Sequence, residues 1–116
     1  KLGIDEFFPF SMNDINKKLS YVDHLAIVVD SIPQSVKYYS LHFNCKVRYK
    51  DSTWAMLEFE NINLALVSKD EHPNHIAIVS EKKIKSKDIQ FHRDGIGYLY
   101  VQDPDSNYIE LIDRKS

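Results

Sequence analysis

The sequence predicts an α+β domain of two βαβββ modules that share one sheet system, the second with its helix cut short. Three observations carry this. First, Asp23-His24-Leu25-Ala26-Ile27-Val28-Val29 returns as Asn74-His75-Ile76-Ala77-Ile78-Val79-Ser80, about fifty residues later. Second, each copy is followed by strand-like segments, ending in Ile62-Asn63-Leu64-Ala65-Leu66-Val67 and in Asn107-Tyr108-Ile109-Glu110-Leu111-Ile112. Third, the stretch after the first copy has helical periodicity and a start signal, whereas the stretch after the second is short and charged. At 116 residues the chain is one domain by length. We place it at residues 21–116, with module one at 21–68, module two at 74–114 and an amino-terminal arm at 1–20.

The arm carries Leu2, Ile4, Phe7, Phe8, Phe10, Met12 and Ile15 and is too apolar for a disordered tail. Ser11 or Asn13 could cap a short helix in it, reaching Lys18. Tyr21 to Val29 reads as a strand apolar on both faces, as expected between a core or cavity and a covering helix. Ser31 and Gln34 then form a capping box and Pro33 suits a first turn. Ile32, Val36, Tyr39 and Phe43 follow at helical spacing, an apolar stripe that can lie on the sheet. Strands are expected at Cys45 to Tyr49, Thr53 to Glu60 and Ile62 to Val67. In module two, His75 to Ser80 opens the repeat, but Glu81 to Lys87 is too short and charged for an amphipathic helix. Ile89 to Arg93, Gly97 to Gln102 and Tyr108 to Asp113 complete it, with turns at Asp94-Gly95 and Asp103-Pro104-Asp105-Ser106-Asn107. Losing the second helix would bare Ile76, Ile78 and the Leu111 side of the sheet, a face that the arm or a second copy should cover.

A net charge of −2 with scattered lysines leaves no basic face, which argues against nucleic-acid and polybasic membrane partners. The short basic run Glu81-Lys82-Lys83-Ile84-Lys85 reads as a solvated turn. No apolar run approaches the roughly 18 residues of a membrane span, and the start is acidic and aromatic rather than signal-like. Cys45 is the one cysteine, so no intrachain disulfide forms and a cytoplasmic location is expected. Its apolar flanks make it a small hydrophobe rather than a catalytic thiol.

Side chains alternate along strands, so His24, Ala26 and Val28 share a face, His75 and Ala77 share one, and Tyr108, Glu110 and Ile112 share another. With Leu25 and Ile27 turned to the helix, His24, His75 and Glu110 can enter one concave interior. Two neutral imidazoles and a carboxylate suit a divalent ion with positions left open for substrate. A buried Glu110 would be costly without such a partner. The same alternation groups Trp54, Met56 and Glu58, and groups Tyr98, Tyr100 and Gln102. Trp54, Met56, Tyr98 and Gln102 are expected to bind substrate. Glu58 is either a general base beside it or a strand end in water. Tyr98 and Tyr100 either hydrogen-bond a developing oxyanion, the role assigned to Tyr100 as a catalytic residue, or fill the wall. His92 is expected at a surface strand position rather than in the mouth. His42 ends a helix, where the dipole favours a cation, and His72 lies in the linker; neither is assigned to the site.

On these residues the chain resembles the vicinal oxygen chelate superfamily of glyoxalases, bleomycin-resistance proteins and extradiol dioxygenases. The likeness rests on Asp23 to Ile27, on the helix ending in Tyr38-Tyr39 and Phe43, on Asn74 to Ala77 and on Asp103 to Leu111, and it covers Tyr21 to Arg114. It implies that the paired modules form a cup-shaped sheet (the glyoxalase-like fold), often completed across a homodimer. It also implies a divalent ion (Fe, Mn, Ni, Zn, Co or Mg) on His24, His75 and Glu110 that chelates vicinal oxygens of a small-molecule substrate. Lyase, isomerase, dioxygenase and transferase chemistries fit. Ala65 stands where glyoxalases and epimerases carry a fourth ligand, and Ser106 replaces the usual turn glycine and must accept a tight, left-handed conformation. The alternative is a metal-free protein of the bleomycin-resistance type that sequesters a small molecule or drug within the same aromatic walls. A regulatory or scaffold module is disfavoured, because buried polar triads are expensive there.

Overall fold

The computed structural model describes residues 19–81 and 83–113. Its elements are β1 (Tyr21–Val28), α1 (Ile32–His42), β2 (Lys46–Lys50), β3 (Trp54–Glu58), β4 (Asn63–Val67), β5 (His75–Val79), β6 (Gln90–Phe91), β7 (Gly97–Gln102) and β8 (Tyr108–Ile112). All eight strands form one sheet in the order β2-β3-β4-β1-β5-β8-β7-β6. The order is the repeat made visible. Each module places its opening strand parallel to its last, β1 with β4 and β5 with β8, and the two opening strands pair antiparallel at the centre. Both histidine-bearing strands therefore lie side by side, because each is the inner edge of its own module.

Helix α1 starts where the sequence predicts. Ser31 caps it in extended conformation, its Oγ accepting the Gln34 N–H at 3.3 Å, and a proline occupies the first turn. Ile32 and Val36 pack on Ala55, Leu57 and Leu66, with Ile27, Val29 and Cys45 around them. Leu57 and Leu66 are completely buried, and each contributes on the order of 2 kcal/mol by leaving water. Phe43 lies past the helix as its C-cap, half exposed, with its ring near Phe59.

Among the described residues, module two has no helix between β5 and β6. Ile84 there donates its backbone N–H at 2.6 Å to Oδ1 of the buried Asp113, and Asp113 N–H bonds Gly97 O at 2.8 Å. One carboxylate thus fastens to the sheet a segment too charged to hold itself there by apolar contact. Strand β6 is also shorter than the expected Ile89 to Arg93. His92 N–H bonds Ile96 O and Gly95 N–H bonds His92 O, both at 2.9 Å, so the chain turns at Gly95, whose φ is +88°. In the Asp103–Asn107 turn Ser106 adopts the expected left-handed conformation, at φ +68°. Asp103 Oδ1 accepts the N–H groups of Asp105 and Asn107 and holds the turn closed.

The outer face shows the consequence of the missing helix. Leu25 on β1 pairs with Ile76 on β5, which pairs with Ile109 on β8, which pairs with Val101 on β7. Leu25 (37%), Ile76 (43%) and Val101 (36%) in this continuous apolar row are exposed, a patch that monomers seldom leave bare. The arm expected to cover it falls on residues 1–20, of which 1–18 lie outside the described residues. Deleting residues 1–18 should lower the melting temperature and solubility or shift the oligomeric state. Scanning calorimetry and light scattering showing no change would disprove the coverage. No helix of the described residues is long and apolar enough to cross a membrane.

Candidate metal centre

The concave face of the sheet encloses a cavity of about 730 Å³ lined from both modules. Its floor is made by register. His24 on β1 stands opposite Ala77 on β5, and Ala77 stands opposite Glu110 on β8. His75 is two residues from Ala77 on the same face and opposite Ala26. Ala26, Ala65 and Ala77 are all buried, and their small side chains leave the space over which the longer ones converge. A bulge in β1 between Val22 and His24 makes Asp23 the extra residue, and Asp23 too lines the cavity.

His24 Nε2 lies 3.6 Å and His75 Nε2 3.2 Å from Oε1 of Glu110. The three ligand atoms all fall within 4.8 Å of one another. Glu110 is 2% exposed and His75 7%. The outward nitrogens are already bound: His24 Nδ1 lies 2.8 Å from Asp23 Oδ2 and His75 Nδ1 2.7 Å from Pro73 O. Those oxygens can only accept, so each Nδ1 carries the proton. With both rings neutral, as ion binding requires, two bare nitrogens and an anionic oxygen face one another; without an ion, a proton on His75 Nε2 makes the 3.2 Å contact a hydrogen bond to Oε1. Bonds of about 2.0–2.2 Å from one ion to its ligands set ligand–ligand edges of roughly 2.8–3.6 Å, which the two separations from Oε1 match. Outer-shell acceptors that fix the imidazole tautomer complete a donor set that fits a divalent cation.

The second oxygen of Glu110 is taken by His92, whose Nε2 donates to Oε2 at 2.7 Å while its ring stacks on Tyr98 at 3.8 Å. Burial opposes ionisation of Glu110, but hydrogen bonds from His75 and His92 and the charges of His92 and His24 outweigh it and draw the carboxyl down to about 2. A carboxyl lowered from its ordinary 4.5 stabilises the fold fully above that value and stops doing so as pH falls through about 2. The metal-free protein should therefore lose stability between about pH 4.5 and 2, and Glu110→Gln should flatten that limb in denaturant titrations.

Tyr100 faces Glu110 across the β7–β8 pair. Its hydroxyl lies 2.8 Å from His72 Nδ1 and 3.4 Å from His75 Nδ1. Burial first, then the Glu110 charge, push its pKa far above the ordinary tyrosine value, so it stays a proton donor. Burial also lowers the pKa of His72. Trp54, stacked on Tyr49 at 4.5 Å, lines the cavity with Met56 and Tyr98.

Two expected site residues are elsewhere. Glu58, though on the face of Trp54 and Met56, is at the far end of β3 and not among the cavity residues; its carboxylate meets Arg48 at 3.1 Å. Gln102 lies past the rim, its amide directed to Ser106 O at 3.3 Å. In both cases alternation assigned the face correctly, but the strand runs beyond the cup. His92 is corrected in the opposite sense: it is in the wall. Alternation could have found it, since Gln90 pairs with Tyr98 and His92 follows two residues on. His72 was unassigned because linker residues have no period; only its hydrogen bond to Tyr100 reveals it.

No protein-family model matches the chain, and no curated protein does. Solved structures do match. They include a hypothetical protein of Bacillus halodurans C-125 (18% identity over 85% of this chain and 97% of that one, TM-score 0.67) and a methylmalonyl-CoA epimerase of Streptomyces coelicolor (14%, 85% and 100%, TM-score 0.66). A glyoxalase/bleomycin resistance protein/dioxygenase superfamily member of Vibrio splendidus 12B01 aligns at 11% identity over 83% of this chain and all of that one (TM-score 0.62). Against homoprotocatechuate 2,3-dioxygenase of Brevibacterium fuscum, 81% of this chain aligns at 18% identity with a TM-score of 0.57, spanning 33% of that protein. The chain has the fold of the vicinal oxygen chelate, or glyoxalase/bleomycin resistance/dioxygenase, superfamily.

Proposed function

We propose that the protein is a metal-dependent enzyme of the vicinal oxygen chelate type, acting on a small molecule that presents two adjacent oxygens. One observation carries the reading: two imidazole nitrogens and a buried carboxylate oxygen converge while the proton-bearing nitrogens are tied off behind them. His24, His75 and Glu110 would hold the ion, which could be Fe, Mn, Ni, Zn, Co or Mg, since such a donor set accepts most of them. A divalent ion there supplies Lewis-acid stabilisation of negative charge on substrate oxygens.

The chain's own groups do the rest. Tyr100, held protonated, donates a hydrogen bond to a developing oxyanion. His92, part-exposed and bonded to Glu110, takes the proton-transfer role that the sequence suggested for Glu58. Trp54, Met56 and Tyr98 orient the body of the substrate and exclude water. Tyr100→Phe should keep metal content and fold while lowering kcat by about 10²–10³, the usual scale for losing one such donor. Unchanged turnover would remove Tyr100 from the chemistry. A homodimer acting in the cytoplasm belongs to the same reading, and light scattering tests the dimer.

The decisive experiment is metal analysis of protein purified without chelator. About one equivalent supports the enzyme. Below about a tenth of an equivalent, with none taken up from Fe, Mn, Ni, Co, Zn or Mg, the metal-free ligand-sequestering alternative stands, with the Tyr49–Trp54 stack as its binding wall.

A further inference from the structure

Chelation through two adjacent oxygens acidifies a substrate hydroxyl, so a proton must leave the cavity floor as substrate binds. The floor has no place for it. With an ion held there, His24, His75 and Oε1 of Glu110 are ligands, and Oε2 already accepts from His92. The body of the substrate then closes the mouth above. On the His75 side a second way out runs through Tyr100 and His72.

Behind that wall lies a smaller depression of about 260 Å³, lined by linker residues 69–73 with Tyr100 and Tyr108. Among the described residues, Glu71, His72 and Tyr100 line both this depression and the main cavity, so they are the partition between the two. Tyr100 Oη lies 2.8 Å from His72 Nδ1 and 3.4 Å from His75 Nδ1, but the His75 nitrogen carries the proton bound to Pro73 O. A protonated ring nitrogen has no lone pair to offer, so of the two imidazoles only His72 can take the Tyr100 proton. His72 is fixed in place: Ser68 O accepts the N–H groups of Glu71 and His72 at 3.0 and 3.2 Å, and Pro73 follows. Burial and the Glu110 charge keep Tyr100 a phenol, so it passes a proton on only by gaining another in the same step.

We propose that Tyr100 and His72 form a proton relay that carries the proton shed on chelation from the floor to the depression behind it. The inference rests on the oxygen-chelating reading above. At rest the Tyr100 hydroxyl donates to a bare His72 Nδ1, and Nε2 holds the ring proton. As substrate binds, its hydroxyl proton moves to Tyr100 Oη, the Tyr100 proton moves to His72 Nδ1, and the Nε2 proton passes to water in the depression beside Glu71. Substrate has lost one proton and solvent has gained one. His72 is neutral again in its other tautomer, now donating to Tyr100, whose own proton points at the oxygen it came from. The relay thus leaves Tyr100 set as the donor to substrate oxygen, and reprotonation of the departing product runs it backward. His92, on the Glu110 side, is left for transfers within the reaction itself.

The resting tautomer is read in metal-free protein by nitrogen-15 NMR of the histidines. His72 should carry its proton on Nε2; a proton on Nδ1 instead would overturn the relay. Transfer is read with benzohydroxamic acid, a neutral probe with an aryl body that loses a proton when its two oxygens chelate. Stopped flow mixes it with Co(II)-loaded protein in weakly buffered solution, following the visible cobalt bands and a pH indicator. His72→Asn keeps an acceptor for Tyr100 but cannot pass a proton on, and His72→Ala keeps neither. In both, association and dissociation should slow together by about 10²-fold, with affinity unchanged, because a relay lowers a barrier without moving an equilibrium. Imidazole in solution should restore the rate of His72→Ala. Unchanged rates in both variants, or slowing that comes with lost affinity or resists imidazole, would overturn the relay and leave chelation standing. Failure to take up cobalt, or bands that the probe does not move, would overturn the chelating reading and this inference with it.

Discussion

Glu110→Gln should abolish stoichiometric metal retention. The amide keeps the shape of the carboxylate but removes the one formal negative charge on the floor, leaving a dication with two neutral imidazoles. Removing even an outer-shell partner of a metal ligand typically costs 10–100-fold in affinity, so losing the anionic ligand itself should exceed about 100-fold. The side chain is almost wholly buried, and His92 and His75 both lean on it, so metal loss could be mistaken for unfolding. Far-ultraviolet circular dichroism separates the two: the spectrum should be native and the metal content near zero. One equivalent of metal retained after dialysis would remove Glu110 from the ligand set.

Ala77→Leu should do as much damage without touching a ligand. Ala77 is completely buried and sits between His24 and Glu110 across the β1–β5–β8 row. A leucine there would fill the space in which those side chains meet. Overpacking of this kind costs about 1–3 kcal/mol, so the melting temperature should fall by several degrees while metal affinity collapses. Ala77→Ser, nearly isosteric, should retain the ion and serves as the control. If Ala77→Leu binds metal as tightly as wild type, the site does not depend on this alanine floor.

The sequence spoke most clearly where it repeats. Two matching histidine strands and a carboxylate strand, read with a period of two, placed His24, His75 and Glu110 on one interior, and the structure brings all three together. The α1 cap and stripe were equally legible, since Ser31, Pro33, Ile32 and Val36 act within a few residues of one another. Errors arose where reach mattered rather than direction. Glu58 and Gln102 point to the expected side but extend past the cup, because alternation does not say where along a strand a concave surface ends. His92 is different: alternation from Gln90 puts it on the cup face even though β6 ends before it, and its ring meets Glu110 there.

The chain by itself therefore determined the duplicated βαβββ plan, the loss of the second helix and the faces on which the chemistry-bearing residues lie, since all of these follow from local periodicity and capping. Only the tertiary structure decided which of those residues meet. The β1–β5 pairing, the bulge that brings Asp23 to His24 and the approach of Arg93 to Asp51 join positions far apart in sequence or re-aim them by a single residue. Distances set by how far a sheet curves have no signature in a linear pattern.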